Sequence, residues 1–302
     1  MILGLGCIAF DRVLVTNSLW QDGKGRILRS EARFGGNVRN ALAAAAGLGE
    51  RVEYLAAVSS DERWNTVLAD LAQHDIGTAF TVRVPGAGPV LSTIVVTGDG
   101  DRFIAFDDSG LLTTPLPDRS LVIRALAQAS VLIVDASTAP PGSVEVILMA
   151  QERGIPVVLD AEREVPGRTV VRDMLAVVDH PILPMPFARE VTGASQSRDI
   201  LEVLWTAQRS TVVLTDGARG AIVRSLDLGP ATEVPAYSVV AVDTVGCGDA
   251  FHGAYAVGLS RGLSTIDRLR LANAAAGVVA AMPPGQRRTP TMASVDALMS
   301  TQ

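Results

Sequence analysis

The sequence holds 302 residues, enough for one large α/β domain, and 48% of them are apolar, so a large buried core is available. A formal charge of −6 argues against a nucleic-acid surface and against binding to acidic membranes. The two cysteines, Cys7 and Cys247, have no metal-ligand or redox spacing, and with only three histidines a structural zinc site is not expected.

The first apolar run, Ile2 to Ala9, is short and does not alternate, the pattern of a parallel strand buried on both faces. It carries neither a positive n-region nor a cleavage site, and no apolar run is long enough to span a bilayer; a cytoplasmic protein of a reducing compartment is expected. Gly4-x-Gly6-x-x-Ala9 fits a loose dinucleotide fingerprint. However, Asp11-Arg12-Val13-Leu14-Val15 continues as strand where that motif needs a helix N-terminus on a pyrophosphate, which argues against a nicotinamide enzyme. Arg12 to Phe34, with Val13, Val15, Ile27 and Leu28 around the polar turn Gln21-Asp22-Gly23-Lys24-Gly25, predicts a hairpin.

Gly35-Gly36-Asn37-Val38-Arg39-Asn40 then opens an alanine-rich helix that Gly47 and Gly49 can end. The paired glycines let the backbone approach a ligand or a strand closely. Asn37 and Asn40 lie three apart and face the same way in a first turn. Two amides there suit recognition of hydroxyls, because each can donate and accept; the plainer alternative makes Asn37 an N-cap and Asn40 a surface residue.

Val52 to Val58 reads as a strand and Asp61 to His74 as an amphipathic helix. Val90 to Phe106 predicts a second hairpin, with Gly98-Asp99-Gly100 as its turn. Two such hairpins, inserted at about 12–34 and 88–106, are expected to pair into a small sheet that covers the site as a lid. Arg102 in the second is either a solvated turn residue or a contact for an anionic substituent on a substrate. The remaining chain alternates helical stretches (Asp118 to Ala129, Ser143 to Arg153, Arg198 to Arg209) with buried strands (Val131 to Val134, Pro156 to Leu159, Pro181 to Leu183, Val212 to Thr215). That rhythm predicts a single α/β domain over 1–302: a doubly wound, mostly parallel sheet flanked by helices, with the small β-sheet lid.

Asp243-Thr244-Val245-Gly246-Cys247-Gly248-Asp249 is the most informative segment, and a helix-forming run follows it. A glycine-rich turn feeding a helix N-terminus gathers unpaired N–H groups and the positive end of the macrodipole, making an anion hole. Asp249 beside that hole is either an N-cap or a general base that takes a proton from a substrate hydroxyl.

Gly35-Gly36-Asn37-x-x-Asn40-Ala41 and Asp243-Thr244-x-Gly246-x-Gly248-Asp249, at this separation, resemble the ribokinase (phosphofructokinase-B, PfkB) family of carbohydrate kinases over essentially the whole chain. Within it the sequence is similar to the ketohexokinase-like branch, through the Gly-Asp-Gly-Asp-Arg hairpin, and to bacterial sulfofructose kinases, through Asp179-His180 and Phe251-His252-Gly253-Ala254. The resemblance implies ATP- and Mg2+-dependent phosphorylation of a ketohexose-like sugar. It makes Asp249 the catalytic base and gives the anion hole to the N–H groups of Gly246, Cys247 and Gly248. Asp11, Gly36, Asn37 and Asn40 match sugar-facing positions. Thr215, Gly217 and Gly220 match the nucleotide loop, and Asn273 falls in the helix flanking the adenine pocket. Asp243 and Val245 correspond to positions that hold a monovalent cation such as K+ in many members. A homodimer through the lid is also implied. One departure stands out: the family's Asn-x-x-Glu motif, which supports magnesium and phosphate, is replaced by Pro184-Met185-Pro186-Phe187. A nucleoside or ribose kinase, or a non-catalytic sugar- or nucleotide-binding protein on the same scaffold, are the alternatives.

Overall fold

The computed structural model describes residues 1–17, 25–60, 62–85, 87, 90–97, 102–107, 114–164, 170–283 and 289–301. In chain order the first strands are β1 (Ile2–Leu5), β2 (Ala9–Val15), β3 (Arg29–Gly35), β4 (Val52–Tyr54) and β5 (Ala56–Val58). Then come β6 (Ile76–Gly77), β7 (Thr81–Arg83), β8 (Val90–Val96), β9 (Arg102–Asp107) and β10 (Val131–Asp135). The last are β11 (Val157–Asp160), β12 (His180–Pro184), β13 (Thr211–Thr215), β14 (Ala221–Ser225) and β15 (Gly229–Val234). The helices are α1 (Asn37–Gly47), α2 (Glu62–Gln73), α3 (Arg119–Leu126), α4 (Ser143–Gln151) and α5 (Val170–Val177). They continue with α6 (Met185–Thr192), α7 (Ser197–Leu204), α8 (Cys247–Ser260), α9 (Thr265–Ala281) and α10 (Met292–Met299).

Nine strands form the main sheet in the order β15-β14-β13-β12-β11-β10-β1-β4-β6. From β6 to β13 every pairing is parallel, and β14 and β15 extend the edge antiparallel. The unalternating runs follow from this position, since both strand faces are covered. Ile2, Val131, Ile133, Ile182 and Val213 point to a core layer shared with α1, α2, α8, α9 and α10. Leu3, Leu132, Val134, Leu183 and Leu214 point to the opposite layer under α3 to α7. Each such side chain, fully withdrawn from water, contributes about 1.5–3 kcal/mol.

The chain starts in the middle of the sheet at β1, winds outward through β4 and β6, then resumes beside β1 at β10. The reversal between β1 and β10 is a topological switch point, where a crevice opens beyond the carboxyl ends of the strands. The expected hairpins do pair into a separate sheet, ordered β3-β2-β8-β9, with β2 and β8 parallel and both outer pairs antiparallel. Its predicted turns, Gln21–Lys24 and Gly98–Gly100, lie outside the described residues, as does the side chain of Arg102.

Three expectations are revised. Ile2 to Ala9 is not one strand: the chain leaves the main sheet at Gly6 and enters the lid at Ala9, with the Cys7 N–H donating to Thr138 Oγ1 at 3.0 Å. Val52 to Val58 also divides, β5 pairing with β7 in a two-stranded sheet. The helix expected to reach Arg209 stops at Leu204. Among the described residues no helix is long and apolar enough to cross a membrane.

Candidate active site

The site is built where α1 and α8 meet at the switch point. α8 begins at Gly246, an N-cap residue in the left-handed region (φ 80°, ψ 1°) that an L side chain would strain. No side chain caps this helix, so the N-cap reading of Asp249 fails; Asp249 sits in the first turn instead. A β-carbon on Gly248 would meet open space, which leaves the turn accessible from the cleft. The Cys247 N–H is directed at the Thr244 carbonyl at 3.3 Å and closes the turn.

α1 is capped by Gly36, so Asn37 is its first helical residue and not its cap. The two asparagines take different partners. Asn40 Nδ2 donates to Asp249 Oδ2 at 2.8 Å, across 209 positions of sequence, and Asn37 Nδ2 donates to Glu162 Oε1 at 3.2 Å. The first contact depends on the approach of the two helices: a β-carbon on Gly253, one turn beyond Asp249, would overlap the Ala41 carbonyl oxygen.

Asp249 is half-buried and lies among groups that displace water. Burial pushes its carboxyl up to about 7, the charges of Glu162 and Asp135 push the same way, and the Asn40 hydrogen bond and Arg39 oppose them. Asp135 and Asp160, both buried, end β10 and β11. Asp135 accepts from the Ser137 N–H at 2.9 Å and from the Ser137 and Thr138 hydroxyls. Asp160 is held well above the carboxylate range by burial first and then by the charges of Asp135 and Asp249. His252 Nδ1 lies 2.7 Å from the Gly248 carbonyl oxygen, and burial holds this imidazole below its usual range. Sequence reasoning assigned no role to Asp135, Asp160, Glu162 or Arg39. The usable signal was position, because an acidic residue ending a strand beside a switch point faces the ligand crevice.

On the lid side, Asp11 in β2 accepts from the Ser92 hydroxyl, crosses over Gly35, and is raised by burial. A cavity of about 490 Å3 joins the two halves, lined by Asp11, Gly35, Asn40, Asp243, Val245 and Gly246 among others. At its far end Asp243 Oδ1 accepts from the Val245 N–H at 2.9 Å. Thr215 closes β13, with Gly217 in the short 3-10 turn that follows and Gly220 after it; Arg219 is clamped to Asp216 by bonds of 2.7 and 2.8 Å. Asn273 lies in α9. Its buried amide donates to the Val234 and Pro235 carbonyls at 3.1 Å each, so it fixes the exit of β15. Where the Asn-x-x-Glu motif would stand, Met185 and Phe187 are packed into the core.

The sequence profile of the pfkB carbohydrate kinases matches residues 2–292. The chain belongs to this family. Its members are phosphotransferases acting on sugar hydroxyls. Mouse ribokinase is 25% identical over 250 residues, covering 81% of this chain and 77% of that protein. Among solved structures, a putative ribokinase from Agrobacterium tumefaciens superposes with a TM-score of 0.88 at 25% identity, covering 99% of this chain and 97% of the other. Arabidopsis thaliana ribokinase complexed with ribose and ATP has the same fold, with a TM-score of 0.85 at 18% identity, covering 99% and 98%.

The residues present fit a nucleotide: a left-handed glycine and an open first turn form the cradle that bare phosphate oxygens need. Among the described residues no three His, Cys, Asp or Glu side chains are grouped to hold a metal ion.

Proposed function

We propose that this chain transfers the γ-phosphoryl group of ATP to a hydroxyl of a ketohexose-like monosaccharide, with Asp249 as general base. The hydrogen bond between Asn40 and Asp249 carries this reading. It holds a carboxylate of raised proton affinity beside an open helix N-terminus, and Asn40 itself lines the same cavity as Asp11. When bound, ATP supplies the phosphoryl group and Mg2+ offsets its charge. The chain's own part is alignment and electrostatics, because phosphoryl transfer asks little covalent work of a protein. Asp11, Gly36, Asn37 and Asn40 orient the sugar. Asp249 accepts the proton of the attacking hydroxyl, and N–H groups of the Gly246–Gly248 turn stabilise charge that develops on the transferred group. Thr215, Gly217 and Gly220 shape the nucleotide end, and Asp243 with Val245 holds a K+ ion near the turn. The outer strand β9, which ends the four-stranded sheet, is the surface through which two copies pair.

Ribose is the second acceptor, favoured by the similarity to ribokinases, one of which is described as complexed with ribose and ATP. The test is ATP-dependent turnover over ketohexoses, sulfofructose, ribose and adenosine, with ADP release and the phosphorylated product both measured. Turnover on a ketohexose supports the proposal; turnover on ribose alone moves the acceptor to the second reading. Binding without ADP release on any of them contradicts catalysis.

A further inference from the structure

Asn40 can hold Asp249 only with its amide turned one way, and a neighbouring side chain turns it. Arg39 is buried, with 8% of its surface exposed, and its Nη1 donates to Asn40 Oδ1 at 3.2 Å. Asn40 Nδ2 is thereby left to donate to Asp249. A flipped amide would set its NH2 against the guanidinium and its carbonyl against the carboxylate, exchanging two hydrogen bonds for two repulsions. Arg39 is itself fixed from α2. Its Nε donates to Asp70 Oδ2 at 2.9 Å, and its Nη2 lies 2.8 and 2.7 Å from the two Asp70 oxygens. The His74 ring, just beyond the end of α2, lies 3.0 Å from Nη2 and accompanies the pair.

We propose that Asp70 and Arg39 form a positioning relay that sets the Asn40 amide and through it aims the Asp249 carboxylate. A bidentate fork locks the guanidinium in one plane, which a lone ammonium could not do. The inference rests on the kinase reading only in making that carboxylate a catalytic base. The arrangement is also electrostatic, because Arg39 and the Asn40 hydrogen bond favour the ionised form that burial, Glu162 and Asp135 disfavour. The titratable and charged groups around Asp249 are Arg39 from α1, Asp135 at the end of β10, Asp160 and Glu162 at and beyond the end of β11, and His252 in α8 itself. Asp11 of the lid lines the adjoining cavity. Among the described residues of that set, Arg39 is the one cation.

The relay is tested by following the Asp249 carboxyl carbon in aspartate-labelled protein through a pH titration, its resonance assigned by loss in Asp249→Asn. Arg39→Met should move its midpoint upward by about one pH unit, the size expected when a nearby opposite charge and an oriented hydrogen bond are lost together. Arg39→Lys should move it less than half as far. Where activity is measurable, the acid limb of kcat/KM should move with the carboxyl while the KM for sugar changes less than about twofold. If a lone buried Asp70 prevents folding, the double variant Arg39→Gln/Asp70→Asn removes both charges and should show the same upward shift. An unmoved Asp249 midpoint in a folded variant overturns the relay, whatever happens to turnover. A moved midpoint in a protein that transfers no phosphate leaves the relay standing and removes the kinase reading instead.

Discussion

Asp249 is a charge placed where water is scarce, and two measurable consequences follow from its raised carboxyl. The proton-accepting form is the ionised one, so kcat/KM should rise with pH through about 7 and fall away below it. Stability should run the other way. The folded protein binds this proton more tightly than the unfolded chain does, so the contribution is fully present below the ordinary value of 3.8 and is lost as pH rises through about 7. Asp249→Asn should therefore match wild type in thermal unfolding near pH 4 and exceed it at pH 8, by on the order of 2 kcal/mol. Equal stability at pH 8 would show that the carboxylate is not desolvated. The placement of Asp249 and Asn40 at helix starts was legible because a glycine turn before a helix, and amides spaced on one helical face, are local patterns. Their mutual hydrogen bond was not, and neither was Arg39, read in sequence only as a residue between two asparagines. Such contacts join positions tens to hundreds apart and exist only once the sheet has brought the helix starts together.

α1 and α8 are the two elements whose contact makes the site. Gly253 lies against the Ala41 carbonyl oxygen, so the helices sit closer than any side chain there would permit. Gly253→Val should cost about 1–3 kcal/mol in chemical denaturation, the usual penalty for overpacking, and should lower turnover by separating Asn40 from Asp249. A variant that melts as wild type does would show that the helices yield without strain. The same elements mark what periodicity can deliver. Buried parallel strands and both lid hairpins were readable from unalternating apolar runs and from polar turns between β-branched residues. The break between β1 and β2 was hidden, because Gly6, Cys7 and Ile8 continue the apolar run while the backbone changes sheets. β14 and β15 were also passed over. Alternate residues of Ala221–Ser225 are buried, a period of two that the polar residues nearby obscured. The backbone partners of Asn273, the Val234 and Pro235 carbonyls, lie almost forty positions upstream and could not be read from its place in a helix.

The molecule as a whole pairs a doubly wound sheet with a four-stranded one that ends at β9 among the described residues. On β9, Phe103 is 60% exposed and Phe106 49%, and its main-chain edge opposite β8 has no partner strand among the described residues. An apolar edge of this kind invites a second copy. Phe103→Glu combined with Phe106→Lys should convert a dimer to a monomer in sedimentation, and a wild-type protein that sediments as a monomer at micromolar concentration contradicts the pairing. The fold bears on the proposed function through one junction, where the start of α1 meets the start of α8 at the hydrogen bond from Asn40 to Asp249. Turnover of folded Asp249→Asn, with ATP and the best acceptor at pH 8, tests that junction most directly. Its kcat should fall by about 100- to 10,000-fold relative to wild type, the range for loss of a positioned general base, while its unfolding remains cooperative. A folded Asp249→Asn protein with near-normal kcat would contradict it.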